Sequence, residues 1–384
     1  ITPLIDGIIS DGEWDAAGVY QASGGVMSGG RDVFTGLAYG FDAQNMYLKL
    51  ALQEGSRSPG VEESIEIYLD VPGGGALNSF SRSGSLLGFQ ANRMVALQLN
   101  EASLVDARLY QASEDQTWQP VVSVEMNAAA ADCQIELTIP LAGLGQADTG
   151  DRLTLRAYYQ EAQELRGRQQ NVDIDIIPGV GPAVLGVPDL GTTTILVDIS
   201  DPNDDDHGPG SYTYPTDAVF SSGSYDIQSF QVGYDDENLV FRFFMDGPVN
   251  NSWDSPNGLS IQTFDIYLDT DGDGQGGETM LPGRNLSFTD ATWDYAITVE
   301  GWESGIYKPG EVGPQRIAES SEFQVGVDPG QQRITIRIPK SILGENPEDW
   351  RYAAAVLSQE GFPSGGVMRV RDVLPVAEQW RIGG

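Results

Sequence analysis

Three aspartates set two residues apart, Asp269, Asp271 and Asp273, carry the most pointed chemistry in the sequence. They sit in the run Thr263-Phe264-Asp265-Ile266-Tyr267-Leu268-Asp269-Thr270-Asp271-Gly272-Asp273-Gly274. Carboxylates crowded at that spacing repel one another, and a hard cation relieves the crowding. Ca²⁺ accepts about six to eight oxygens at about 2.3–2.6 Å, and Gly272, Gly274, Gly276 and Gly277 let backbone carbonyls turn inward beside the carboxylates. Position twelve, where a helical calcium loop places a bidentate glutamate, is Met280, and no helical period flanks the run. The expectation is a calcium loop on a β-sheet; the alternative is a solvated acidic hairpin turn. A second acidic loop, Asp201, Asp204 and Asp205 ahead of Gly208-Pro209-Gly210, offers another Ca²⁺ set or, equally, a solvated surface.

Sugar recognition needs flat aromatic faces for the apolar side of a pyranose and planar polar groups for its hydroxyls. Trp253, in the loop Asn251-Ser252-Trp253-Asp254-Ser255-Pro256-Asn257-Gly258, and Trp302, just past a strand pattern, are the candidate platforms. Arg284 and Asn285 are the candidate donors. Packing of either tryptophan into a core or loop is the competing reading, and Trp14, Trp118 and Trp293 fall in patterns that favour it.

Catalysis finds little support. Among 56 acidic residues some pair always falls at glycosidase distance, so a pair carries no information without a cleft. His207 is the single histidine and Cys133 the single cysteine, which leaves no nucleophile relay outside one acidic loop, no intrachain disulfide and no zinc site of the His- or Cys-rich kind. Cys133 opens the strand-like run to Ile139 and is expected to pack as a small hydrophobe.

The elements that must position these residues are strands. Alternating runs bounded by glycine and proline recur at Met46 to Leu52, Ser64 to Asp70, Met94 to Leu99, Cys133 to Ile139 and Leu153 to Tyr159. They recur again at Leu239 to Phe244, Thr263 to Asp269, Tyr295 to Glu300, Gln332 to Ile338 and Arg351 to Ser358. The halves repeat in order. Asp42 to Leu48 answers Asp235 to Phe241, Ser64 to Asp70 answers Thr263 to Asp269, and Gln134 to Leu144 answers Arg333 to Leu343. Two copies of one antiparallel β-sandwich account for this better than a propeller or solenoid. The expected fold is all-β, with tandem immunoglobulin- or jelly-roll-like sandwiches over 1–190 and 191–384, joined through the Pro/Gly-rich stretch Ile177 to Asp189.

A formal charge of −35, with lysines only at 49, 308 and 340, sets the chain against nucleic acid and anionic membrane surfaces. No stretch approaches the roughly 18 apolar residues of a membrane helix. The opening Ile1-Thr2-Pro3 has neither a start methionine nor a signal peptide, so the sequence reads as part of something larger.

Ile5-Asp6-Gly7-Ile8-Ile9-Ser10-Asp11-Gly12-Glu13-Trp14-Asp15, followed by Asp42 to Leu52, resembles the opening of sugar-binding β-sandwiches related to DOMON domains and family 9 carbohydrate-binding modules. The second half resembles the C-terminal module of glucodextranases and of some pullulanases through Asp201 to Asp217, Trp253 to Gly258, Leu281 to Asn285 and Trp293 to Trp302. That resemblance, over roughly residues 192 to 380, implies a non-catalytic appendage of a secreted α-glucan-degrading enzyme. Its partner would be an α-glucan or cell-surface glycan, with the catalytic domain elsewhere in the same parent chain; a structural spacer or cell-wall anchor without sugar affinity is the alternative. Some DOMON relatives bind haem through strand His and Met ligands, and a lone loop histidine argues against that here. The first copy departs after Asp70, where Val71-Pro72-Gly73-Gly74-Gly75 replaces the acidic ladder.

Overall fold

The computed structural model describes the chain except residues 22–30, 59, 101–102, 132, 146–150, 166–167, 180–181, 188–192, 207–218, 254, 272–276, 285–286, 290, 345, 360–367, 375–381 and 384. The chain is all-β and antiparallel, and it divides into two compact units, Ile1–Leu190 and Gly191–Gly384.

In the first unit, one sheet runs in the order Gly18–Gln21, Phe34–Phe41, Asn45–Leu52, Gln134–Pro140, Asn127–Ala131. The other runs Arg168–Ile177, Arg152–Leu165, Glu63–Asp70, Arg93–Asn100, Ser103–Ala112, Trp118–Pro120, with Ala183–Gly186 paired beside Arg152–Leu165. Leu48 and Leu50 from the first sheet and Ile65, Ile67 and Leu97 from the second share one core. Each such side chain, taken fully out of water, contributes about 1.5–3 kcal/mol before entropy is counted.

The second unit repeats the plan. Its first sheet runs Thr194–Ser200, Ile227–Tyr234, Asn238–Met245, Arg333–Pro339, Gln324–Asp328, and its second runs Met368–Leu374, Arg351–Gln359, Gln262–Asp269, Tyr295–Val299, Ser304–Lys308, Gln315–Glu319. The repetition reaches small details. Asp42 caps its turn by accepting from the Gln44 and Asn45 amides, and Asp235 does the same with Glu237 and Asn238. Pro140 and Pro339 each end a strand, because proline cannot donate to the ladder, and each opens one helical turn, Leu141–Leu144 and Lys340–Leu343.

Three local expectations change. The strand read as Leu153 to Tyr159 continues to Leu165 through Gln160 and Glu161, polar residues that are nonetheless buried and therefore interrupt the apolar alternation. Cys133 lies in a turn at φ 66° ahead of the strand rather than in it, and its thiol packs partly buried against the core. The strand Gln262–Asp269, expected to bury one face, is buried along its whole length. Its second face carries Tyr267 into a satellite cluster with Leu281, Phe288 and Trp293, contributed by the segment folded over it.

Candidate functional site

Asp269 ends the central strand Gln262–Asp269, where the register sets Arg351 opposite it on one side. On the other side Leu268 pairs with Tyr295, and the Asp294 amide donates to the Leu268 carbonyl at 2.8 Å, which brings the Asp294 carboxylate to the end of the strand. Thr270 fixes it there, donating from both its backbone N–H and Oγ1 to Asp294 Oδ2, each at 2.8 Å. One carboxylate oxygen from each of Asp269, Asp271 and Asp294 then lies within 4.8 Å of the others. Asp269 is buried, Asp294 half-buried and Asp271 exposed, so the group opens to solvent on one side. Arg351 reaches Asp269 Oδ2 with Nη1 at 3.8 Å but is 54% exposed, which leaves it a partial counter-charge. An all-oxygen set of this kind fits a hard cation such as Ca²⁺.

Of the ladder read in the sequence, Asp269 and Asp271 meet, and Asp273 lies outside the described residues. Asp294 was not in that ladder. The signal for it is tertiary: only the pairing of Tyr295 with Leu268 places it, and no local spacing announces that pairing.

The first unit supplies an internal comparison. Asn92 occupies the position equivalent to Asp294, with its amide donating to the Leu69 carbonyl at 2.9 Å. Its side-chain Nδ2 donates to Asp70 Oδ1 at 3.1 Å and to the Val71 carbonyl at 2.7 Å, while Oδ1 accepts from the Val71 amide. A carboxamide there hydrogen-bonds the strand-end aspartate that a carboxylate would repel. The loop Val71-Pro72-Gly73 accordingly closes without a cluster of like charges.

The second expected acidic set does not converge in the same way. Among the described residues, only Asp269, Asp271 and Asp294 bring oxygens from three such side chains that close. Asp201 is buried while Asp204 and Asp205 are exposed, and the residue that organises the segment is Asp226. Its Oδ2 accepts from the Asp204 amide at 2.6 Å, its side chain is 1% exposed, and its Oδ1 has no hydrogen-bond partner. Burial foremost, and then the charges of Asp206, Asp205 and Asp246, push this carboxyl up to about 6. His207 lies outside the described residues.

Trp253 and Trp302, far apart in sequence, stack with ring centroids 6.1 Å apart and planes at 28°, and Phe220 meets Trp253 edge-on at 6.2 Å. Both tryptophans are half-buried. A polar clip builds the arrangement. Asn251 Oδ1 accepts from the Ser255 amide and from the hydroxyls of Ser255 and Ser260, and Ser260 Oγ accepts from the Trp253 amide at 3.1 Å. Asn257 ties this loop to the next strand end, donating from its amide to the Gly301 carbonyl at 3.0 Å and from Nδ2 to the Glu300 carbonyl at 2.6 Å. Gly301 is required by close approach, since a Cβ there would lie 2.3 Å from the Leu259 carbonyl oxygen.

Arg284, expected as a donor to sugar, is spent inside the unit. Its Nε and Nη2 donate to Asp265 Oδ2 and Oδ1 at 3.1 and 3.0 Å, and Tyr267 donates its hydroxyl to the same carboxylate at 2.8 Å. With side-chain exposures of 10% and 1%, the Arg284–Asp265 pair faces the satellite cluster rather than solvent. Asn285 lies outside the described residues. Trp14 and Trp293 are buried as expected; Trp14 donates Nε1 to the fully buried Glu136 at 2.8 Å, and Lys49 lies over its ring. Trp118 is half-buried edge-on against Tyr68.

No curated protein sequence matches the chain. Among solved structures, the partial N-terminal region of an enterococcal surface protein is 10% identical over 88% of this chain and 92% of that one, with a TM-score of 0.19. The CupB6 tip adhesin from Pseudomonas aeruginosa is 12% identical over 93% of this chain and 96% of that one, with a TM-score of 0.13. Scores that low establish no common fold. Residues 196–384, nearly all of the second unit, match the model of a family described as the C-terminal binding-module, SLH-like, of glucodextranase.

Proposed function

We propose that the chain is a non-catalytic glycan-binding or surface-attachment region of a secreted α-glucan-degrading enzyme, and that the second unit engages glycan through Trp253 and Trp302. The observation that carries this reading is the stacked pair itself. Two indole rings held half-exposed by the Asn251 clip offer a flat apolar surface of the kind pyranose faces require. The family match supports the same assignment, since its description is that of a binding module. Ca²⁺ held by Asp269, Asp271 and Asp294 would brace the strand end and take no part in chemistry; when bound, it would supply charge neutralisation for the three carboxylates.

One observation favours the spacer or anchor reading instead. The tryptophans stack on each other and Phe220 meets Trp253 edge-on, so part of their surface is already used. Native gels cast with amylopectin, pullulan, dextran or hydroxyethyl cellulose separate the readings. Glycan binding by the second unit predicts retardation in at least one gel, weakened in both Trp253→Ala and Trp302→Ala; no retardation of the wild type in any gel favours the spacer.

A further inference from the structure

We propose that the first unit carries a saccharide-binding cleft of its own on the outer face of its larger sheet, built from Glu66, Arg82, Gln98, Asp106, Arg108 and Asn171. The cleft has a volume of about 90 Å³ and is overwhelmingly polar in its lining. It is distinct from the tryptophan pair, and the inference stands or falls without the reading given above.

The strand registers place its floor, Ser64, Glu66, Gln98, Asp106 and Arg108, together with the buried polar residues beside it. Asp173, Gln160, Ser64, Gln98 and Asp106 form one cross-strand row over five adjacent strands, and the next row brings Tyr158, Glu66, Ala96 and Arg108 together. Side chains on the outer face of a sandwich normally meet water, yet Ser64, Glu66, Gln160 and Asp173 are all under 9% exposed. They are already desolvated and bonded to one another. Gln160 Nε2 donates to Asp173 Oδ1 at 2.7 Å and Glu66 Oε2 at 3.2 Å, and the Ser64 hydroxyl donates to Gln160 Oε1. Burial foremost holds the Glu66 carboxyl above its ordinary range, against the hydrogen bond from Tyr68 and the charge of Arg82.

The duplication shows what is unusual here. Both units place an acid and a tyrosine two residues apart on the central strand and set an arginine over them: Asp265, Tyr267 and Arg284 in one, Glu66, Tyr68 and Arg82 in the other. In the second unit the triad is sealed, with a bidentate arginine 10% exposed. In the first it is open. Arg82 approaches Glu66 Oε1 with Nε at 3.3 Å, stays 43% exposed, and lies over the Tyr110 ring at 5.4 Å. Arg108 and Asp106 pair beside it at 2.8 Å, both solvent-facing, and Gln98 and Asn171 add exposed carboxamides.

The chemistry points to a neutral, hydroxyl-rich ligand. The lining mixes two guanidiniums, Arg82 and Arg108, with two carboxylates, Glu66 and Asp106, and the buried Asp173 lies behind Gln160, so the cleft presents both signs to a ligand rather than one. The lining offers donors from Arg82 and Arg108, acceptors from Glu66 and Asp106, and both from Gln98 and Asn171, which suits hydroxyl groups, each of which both donates and accepts. Tyr110, half-buried at the rim, supplies an aromatic edge.

The test uses the full chain carrying Trp253→Ala and Trp302→Ala, which removes the platform of the second unit, titrated calorimetrically with maltotetraose, isomaltotetraose and cellotetraose. Saturable heat with at least one of them is expected. Adding Arg108→Ala or Asn171→Ala, both at exposed positions, lowers that affinity about tenfold or more with no change in unfolding temperature, as loss of one desolvated hydrogen bond to a charged or amide group predicts. Glu66→Gln tests the floor with the shape kept, and Val122→Ser, at a site 91% exposed and outside the cleft, leaves affinity unchanged. Absence of heat with all three tetrasaccharides overturns the proposal, as does unchanged affinity in both Arg108→Ala and Asn171→Ala.

Discussion

Replacing Asp294 with asparagine makes the second unit imitate the first, and the consequence for stability depends on calcium. Asp294 shares two of the three close carboxylate pairs in the group it forms with Asp269 and Asp271. Two unit charges 4 Å apart interact by about 1 kcal/mol in water and about 4 kcal/mol at an effective dielectric of 20. Because Asp271 faces solvent, the lower figure applies, less some screening. Removing two pairs therefore stabilises the metal-free unit by about 1–2 kcal/mol. The asparagine carbonyl still accepts from Thr270, so the turn is kept. A ligand that binds only the folded state adds about 2.7 kcal/mol at a hundredfold excess over its Kd, and only about 0.4 kcal/mol if the affinity falls a hundredfold. Differential scanning calorimetry in EDTA and in excess CaCl₂ reads both effects, at about 2–4 °C per kcal/mol for a unit of this size. Asp294→Asn is expected to melt higher than wild type in EDTA and to gain far less from calcium, while the transition of the first unit moves little in either protein. A variant that melts lower in EDTA, or that gains as much from calcium as wild type, refutes the reasoning.

Trp253→Ala and Trp302→Ala should each weaken glycan retention by about 2 kcal/mol, roughly thirtyfold in affinity, read from the dependence of gel mobility on polysaccharide concentration; mobility identical to wild type at every concentration refutes the assignment. Asp226 is raised when folded, so the folded state holds its proton more tightly than the unfolded chain and stability falls as pH climbs from about 4 through about 6. Asp226→Asn should flatten that slope and add up to about 2 kcal/mol at neutral pH, after allowance for screening, in denaturant melts across the range; an unchanged slope counts against it. Gly301→Ala forces a Cβ to within 2.3 Å of the Leu259 carbonyl, and should cost about 1–3 kcal/mol and reduce glycan retention as Trp302 moves. Full retention with unchanged stability would show the clip to be dispensable. Glu136→Ala strands the Trp14 indole and the Gly7 amide, which donate to it at 2.8 and 3.0 Å, and should cost about 2–4 kcal/mol, seen as a lower melting temperature of the first unit only.

The parts legible in the sequence were those in which one strand states its own pattern. Glu63–Asp70 and Gln262–Asp269 alternate cleanly, and the repeat between them is carried by Ile-Tyr-Leu-Asp in both. Ser103–Ala112 announces no strand, because much of it is exposed and leaves no apolar period to read. The same limit hid Asp294, whose role depends on a neighbour 25 residues away at Asp269, and misplaced Arg284, whose burial beneath Tyr267 no local composition foretells. The tryptophans were legible singly as loop residues. Their stacking required the Asn251 clip and the Gly301 approach, which are contacts between segments.

The repeated architecture also bears on how the chain folds. Bulges recur at equivalent places, between Phe34 and Gly36 and between Ile227 and Ser229, and again at Tyr159/Gln160 and Val356/Leu357. A strand from one unit could therefore enter the other in correct register, a known hazard of tandem homologous domains. Side chains must refuse it. Were Arg351–Gln359 to take the place of Arg152–Leu165, Leu357 would stand where Gln160 bonds Glu66 and Asp173, leaving two buried carboxylates short of their donor. In such an exchange the polar row would disfavour the wrong strand. Gln160→Leu, by weakening that refusal, should lower the yield of native chain on refolding from denaturant, and a yield equal to wild type would remove this role from the row.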